Sequence, residues 1–221
     1  MMLTREAKRW QPPRGRIAFS EDVCLFAGRS RSYAVEMPSV KRDWTVADVH
    51  ALPDDGMRYE VIDGELFVTP APAFRHQEAV AKLYVILAEY LQHERVGHAF
   101  FAPADVVFSA RRGVQPDVFV MPLVAGRRPE HFDDAKRLLL AAEILSPSTA
   151  RADRVAKRTL YRDEKVPAYW IIDLDARAVE RSTPDEPRPE ILVDQLDWFP
   201  EGASEPLLVD LPAYFRAVLD D

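Results

Sequence analysis

The run LLLAAEILS, residues 138–146, constrains the chain more than any other stretch. Its length and composition predict a buried strand, and side chains in a strand alternate between faces. Alternation puts Glu143 on one face with Leu139, Ala141 and Leu145. An unpaired carboxylate buried there costs several kcal/mol. Glu143 therefore needs a cation, a metal or a proton it keeps. A second acid, Asp117, opens the apolar run DVFVMP, and Lys157 follows on a helical segment. The fold must bring these residues together, and a divalent metal is the expected partner.

Charge is spread unevenly. Residues 1–42 carry nine Lys or Arg against four Asp or Glu, and the rest carries twenty against thirty-two. The first segment has no sustained helical or strand period beyond a short strand expected at YAVEM, residues 33–37. It reads as a basic, disordered N-terminal arm over 1–42, followed by one domain over 43–221. An acidic domain repels phosphate on average, so nucleic-acid binding would need a local basic patch, bound cations or the arm. Cys24 is the only cysteine, which excludes an internal disulfide and a cysteine-rich zinc site. No stretch is apolar enough for a signal peptide or a membrane span, and a cytoplasmic protein is expected.

Along the chain, Thr45 and Asp48 have capping-box spacing for a helix over 46–52. RYEVIDGELFVTP predicts a hairpin turning at Asp63-Gly64, where both positions favour positive φ. Glu60 and Glu65 flank it, either as solvated charges or, for Glu60, at the edge of a metal site. Residues 75–93 predict an amphipathic helix with Val80, Leu83, Leu87 and Leu91 on its apolar face and His76 at its start. Strands are expected at 104–109 and 117–122, joined by a turn at ArgArgGly, then a long polar loop over 123–137. Ser148 or Thr149 is the expected N-cap of a helix to about Glu164. Asp153, Lys157 and Tyr161 follow at intervals of four on one stripe of that helix. Strands at 168–174, 178–183, 191–193 and 207–209 and a final helix from Pro212 complete the reading.

Two carboxylates on neighbouring strands supply hard oxygen ligands suited to Mg²⁺ or Mn²⁺. Such a metal activates water and polarises a phosphodiester, while a nearby ammonium steadies the developing charge. YEVIDGEL, HQEAVAKLYVILAEYL, PADVVFS, QPDVFVMP, AAEILSPST, Asp153 with Lys157 and Tyr161, and AYWIIDL together resemble the Uma-two (Uma2) family of restriction-endonuclease-like proteins. That family belongs to the PD-(D/E)XK phosphodiesterase superfamily, and the resemblance runs from about Trp44 to Leu219.

The resemblance implies an α/β fold with a central mixed sheet flanked by helices and an N-terminal hairpin. It also implies divalent-metal-dependent endonuclease activity. Pro116-Asp117 matches the PD element and Glu143 the (D/E) element. The X-K lysine is missing, since Ile144 and Leu145 follow, and Lys157 takes its place from the next helix. The implied catalytic set is Asp117, Glu143 and Lys157. Metal would be held by Asp117 and Glu143 with help from Glu60, and His76, Asp153 and Tyr161 are accessory. DNA is the expected substrate ahead of RNA, and a two-fold dimer would suit cleavage of both strands. The alternatives are a non-catalytic nucleic-acid or protein-binding module on the same fold, or another two-carboxylate hydrolase such as a glycosidase.

Overall fold

The computed structural model describes residues 43–220, so the basic arm and the strand expected at 33–37 lie outside the described residues. Helix α1 (Val46–His50) starts in the expected capping box. The Thr45 hydroxyl accepts from the Asp48 N–H, and the Asp48 carboxylate accepts from the Thr45 N–H. Strands β1 (Arg58–Ile62) and β2 (Glu65–Thr69) form the expected hairpin. Asp63 and Gly64 both take positive φ, 51° and 85°, which favours the Asp-Gly pair at that turn.

The long helix α2 (Phe74–Glu94) buries Ala79, Val80, Leu83, Leu87 and Leu91. Strand β3 (Gly97–Phe101) follows and was not expected. It opens on glycine, which is depleted in strands and weakens the signal. Strand β4 (Val106–Ser109) was expected, but it pairs with an unexpected β5 (Arg112–Val114), because Arg112 and Gly113 belong to a strand rather than to the turn. β4 and β5 join the hairpin in a four-stranded sheet of order β2-β1-β5-β4.

The central sheet has six strands in the order β10-β9-β8-β7-β6-β3. These are β6 (Val118–Pro122), β7 (Leu140–Ile144), β8 (Tyr169–Asp173), β9 (Ala178–Ser182) and β10 (Glu190–Leu192), with β3 at the edge. Only β7 and β8 pair in parallel, so the sheet is mixed. A parallel pair needs a crossover connection, and the helical segment carrying Lys157 supplies it. Short helix α3 (Phe132–Ala135) interrupts the expected loop at 123–137. Strands β11 (Gln195–Trp198) and β12 (Leu207–Asp210) form a small ribbon before helix α5 (Leu211–Leu219), and β11 was also unanticipated.

The central sheet is covered on both faces. One core packs α2, α5 and the β11-β12 ribbon against Val118, Val120, Leu140, Ala142, Ile144 and Trp170. The other packs the four-stranded sheet and the crossover helix against Phe119, Met121, Ala141 and Ile171. Leu139 breaks the expected alternation. It lies in the first core, whereas Ala141 and Leu145 lie with the second, because regular strand geometry begins only at Leu140.

Gly97 marks a tight spot at the sheet edge. A methyl there would meet the Met121 carbonyl oxygen at 2.8 Å and Val120 Cγ1 at 2.9 Å. Backbone cannot move aside cheaply, so Gly97→Ala is expected to cost about 1–3 kcal/mol. A urea midpoint unchanged from wild type would refute this.

Candidate active site

The β6–β7 register pairs Val118 with Ala142. Carried one step further, it sets Asp117 opposite Glu143 at one end of the central sheet. The Ile144 N–H donates to Asp117 Oδ2 at 2.9 Å, so the carboxylate closes the ladder where main-chain pairing stops. Glu60 comes from β1, whose Glu60 Oε1 accepts the Gln115 N–H at 2.8 Å. That bond ties the hairpin to the Gln115-Pro116-Asp117 tripeptide. Glu60 is buried and Glu65 exposed, which separates the two acids left open by the sequence.

Lys157 and Asp153 lie on a π-helical turn, Ala152–Lys157, that runs into α4 (Arg158–Asp163). In a π-turn each N–H reaches five residues back, and such turns recur at functional sites. The Arg158 N–H donates to the Asp153 carbonyl, which also accepts the Tyr169 hydroxyl at 3.0 Å. Asp153 and Lys157 are thus not the surface ion pair that their spacing alone allowed. Lys157 Nζ sits 2.9 Å from Glu60 Oε2, 3.0 Å from Glu143 Oε1 and 3.7 Å from Asp153 Oδ1. The Tyr161 hydroxyl lies 3.3 Å from Glu143 Oε1. Thr149 does not cap with its hydroxyl, which bonds back to Ser146, while its carbonyl accepts the Asp153 N–H.

Asp117 has its own partners. His76 Nε2 lies 3.0 Å from Asp117 Oδ2, and Arg58 donates to Asp117 Oδ1 at 2.8 Å. Arg58 also donates to the Gln115 carbonyl at 3.2 Å. Sequence reasoning missed Arg58, although a signal was present. It stands two residues before Glu60 in a strand, so the two share a face. All the residues expected at the site are therefore brought together, with Arg58 added.

The electrostatics are unusual for a protein interior. Glu60, Asp117, Glu143, Asp153 and Lys157 are each 3 % exposed or less. Four carboxylates face Lys157, Arg58 and His76. Burial pushes the Glu143 carboxyl well above the usual range. Lys157 opposes this, and Asp117, Asp153 and Glu60 add to it. Burial likewise raises Asp153 against the pull of Lys157 and Thr149. Burial would lift Asp117 too, but His76, Arg58 and Lys157 overcome it and hold the carboxyl at about 2. Burial opposes the charge on Lys157, yet Glu143, Glu60, Asp153 and Asp117 keep it protonated. Burial, with Glu143 the largest charge beside it, raises Tyr161, so its hydroxyl stays a donor.

These shifts make a pH prediction with a definite sign. A depressed carboxylate contributes stability above its unfolded value, 3.8 for Asp117, and loses it as pH falls toward about 2. The loss is roughly 2 kcal/mol. Glu143 and Asp153 act oppositely, since raised carboxyls favour the fold at low pH. The Asp117 share is therefore isolated by difference. The stability gap between wild type and Asp117→Asn should shrink between about pH 4 and pH 2 in urea titrations. A gap constant across that range would refute the assignment.

Among the described residues, no three His, Cys, Asp or Glu side chains gather as a ready-made metal cage. The donor chemistry nevertheless fits a hard divalent cation. Mg²⁺ is commonly held by one or two carboxylates, with waters and substrate phosphate oxygens completing its shell. Asp117 and Glu143 line one cavity of about 230 Å³ with Arg58, His76, Asp153 and Lys157. The buried carboxylates outnumber the firmly charged cations, and Asp153 Oδ1 has no hydrogen-bond partner. A dication would offset that surplus.

Comparison with known proteins bears on the same region. The sequence model of the Uma2 family, described as "Putative restriction endonuclease", matches residues 46–208. A solved structure described as a putative nuclease belonging to DUF820, from Anabaena variabilis ATCC 29413, is similar with a TM-score of 0.65 and 20 % identity. The match covers 79 % of this chain and 99 % of that one. At that identity the likeness speaks to the fold. No curated protein matches. Among the described residues, no helix is long and apolar enough to cross a membrane.

Proposed function

The chain belongs to the Uma2 family of restriction-endonuclease-like proteins, and on that footing we propose that it is a divalent-metal-dependent endonuclease hydrolysing phosphodiester bonds, with DNA as its substrate. One observation carries the reading. A carboxylate-rich pocket with a protonated lysine at its centre sits where the hairpin, the central sheet and the crossover helix meet. A purely structural role would be better served by apolar side chains, because buried ion pairs seldom stabilise more than a well-packed replacement.

Asp117 and Glu143 are the proposed ligands of Mg²⁺ or Mn²⁺, with Glu60 supporting from β1. When bound, the metal lowers the pKa of water and neutralises phosphoryl oxygens. Lys157 holds an ammonium beside Glu143 and stabilises charge developing on the phosphoryl group. Arg58 and His76 fix the Asp117 carboxylate, and Arg58 is open enough to reach a phosphate as well. Tyr161 and Asp153 orient Glu143 and Lys157 from the helix side. In the reaction, water oxygen bonds to phosphorus and gives up a proton, the bond to the leaving deoxyribose oxygen breaks, and the departing oxygen takes up a proton. The products are one phosphate end and one hydroxyl end. Residues 1–42 are proposed as a basic arm that adds phosphate contacts to the acidic domain.

A second reading also has support. Arg58, His76 and the Ile144 N–H already satisfy Asp117, and Lys157 already contacts Glu143. Such a cluster could serve a non-catalytic binding module. Calorimetry with Mn²⁺ beside plasmid nicking separates the two. Saturable binding lost in Asp117→Asn, together with metal-dependent nicking, supports the nuclease. A folded wild-type protein that neither binds Mn²⁺ nor nicks would overturn it.

A further inference from the structure

A larger cavity, about 520 Å³, adjoins the site and shares Arg58, His76 and Asp117 with it. The Pro70-Ala71-Pro72 segment lines both. We infer that this cavity receives one unstacked nucleobase next to the scissile phosphate, so that the preferred substrate is an unpaired strand rather than a continuous duplex. The inference rests on the nuclease reading and names its substrate class.

Three observations point the same way. The cavity has the size of a small-molecule site, which admits a nucleotide but not a double helix. Its walls mix polar groups with apolar and aromatic ones, Phe101, Tyr59, Leu52 and Pro103 among them. Phe101 is 51 % exposed and braced edge-on by Tyr84 at 4.8 Å, a ring held in place yet open to a stacking partner. Base–aromatic stacking is the usual sequence-tolerant grip on single strands.

Charge supplies the third observation. Arg58 and His76 stand at the end shared with Asp117, whereas Asp54 and Asp105 line the cavity elsewhere. Asp105 is engaged by Gln115 Nε2 at 2.9 Å and lies 3.2 Å from His50 Nε2. A phosphate fits the first end and is repelled from the rest, which suits the uncharged base. Beyond residue 42 the chain carries thirty-two acids against twenty Lys or Arg. Duplex DNA presents one charge per roughly 1.7 Å of axis, and a single strand presents half that density. An acidic domain that binds by stacking therefore favours the less charged form.

The test is fluorescence anisotropy with the full chain carrying Glu143→Gln, which keeps the shape of the site and blocks turnover. The probes are a labelled single-stranded oligonucleotide and the same sequence within a closed duplex hairpin. The single strand should bind more tightly. Adding Phe101→Ala should weaken single-strand binding about five- to a hundredfold. Phe101→Tyr should restore it, and Phe199→Ala, at an exposed ring outside both cavities, should leave it unchanged. Equal or tighter binding of the hairpin, no binding of either probe, or indifference to Phe101→Ala overturns the inference. Cleavage by the wild type in Mg²⁺ is read separately. Hydrolysis of both probes at one rate overturns the inference and leaves the nuclease reading. Selective single-strand binding without hydrolysis overturns the nuclease reading and, with it, the placement beside a scissile phosphate, and leaves the cavity as a base-binding site.

Discussion

Lys157→Met is expected to destabilise the domain by about 3–5 kcal/mol. The substitution keeps the length of the side chain and removes the cation lying between Glu60, Glu143 and Asp153. Three buried carboxylates are then left with no ammonium among them. For a domain of this size the loss corresponds to a fall in Tm of about 6–20 °C. Two further measurements distinguish lost charge from lost packing. Glu143→Gln in the same background should recover part of the stability, with a coupling of about 0.5–3 kcal/mol. Added Mn²⁺ should raise the Tm of Lys157→Met more than that of wild type, because a dication replaces the missing positive charge. Additive melting shifts and indifference to metal would assign the lysine to packing.

Glu143→Gln is expected to move stability and activity in opposite directions. Burial already disfavours the Glu143 carboxylate, so a neutral amide of the same shape should hold or raise the Tm near neutral pH. Hydrolysis should fall at least about a thousandfold if Glu143 is the proposed metal ligand, since several kcal/mol of charge stabilisation in the transition state would then be lost. Asp117→Asn should abolish hydrolysis similarly but lower stability, because Arg58 and His76 then face an uncharged amide. Losses in the double variant should be far from additive, as is usual for groups acting as one unit. Plasmid nicking beside thermal melts measures both quantities. Nicking that survives either substitution would remove that residue from the machinery.

Most of what builds this pocket could be read from the chain, for local reasons. Glu143 stood out because an apolar strand has no use for a charge, and Asp117 because it follows Pro116 at the mouth of another strand. The four-residue spacing of Asp153, Lys157 and Tyr161 put them on one stripe, but spacing could not say whether that stripe faced solvent. The answer depended on the parallel β7–β8 crossover, a tertiary fact. Arg58 was legible in principle from its alternation with Glu60 and was hidden by attention to acids. His76 could not be resolved locally, because its partner, just before β6, is more than forty positions away. The β3, β5 and β11 strands escaped notice, β5 because Arg112 and Gly113 read as a turn. β3 opens on glycine, and β11 buries only Leu196 and Trp198.

The π-turn at Ala152–Lys157 makes the lysine's position a matter of winding. The same residues wound as an ordinary α-helix would swing everything on one side by roughly 100° about the axis. Lys157 would then point away from Glu143 with its sequence unchanged. A single-residue deletion within the turn removes the extra residue and the wide winding together, so the flanking helix keeps its direction. In this part of the chain, winding therefore constrains the site more tightly than length does. A relative with one residue fewer there can present its cation from the same face.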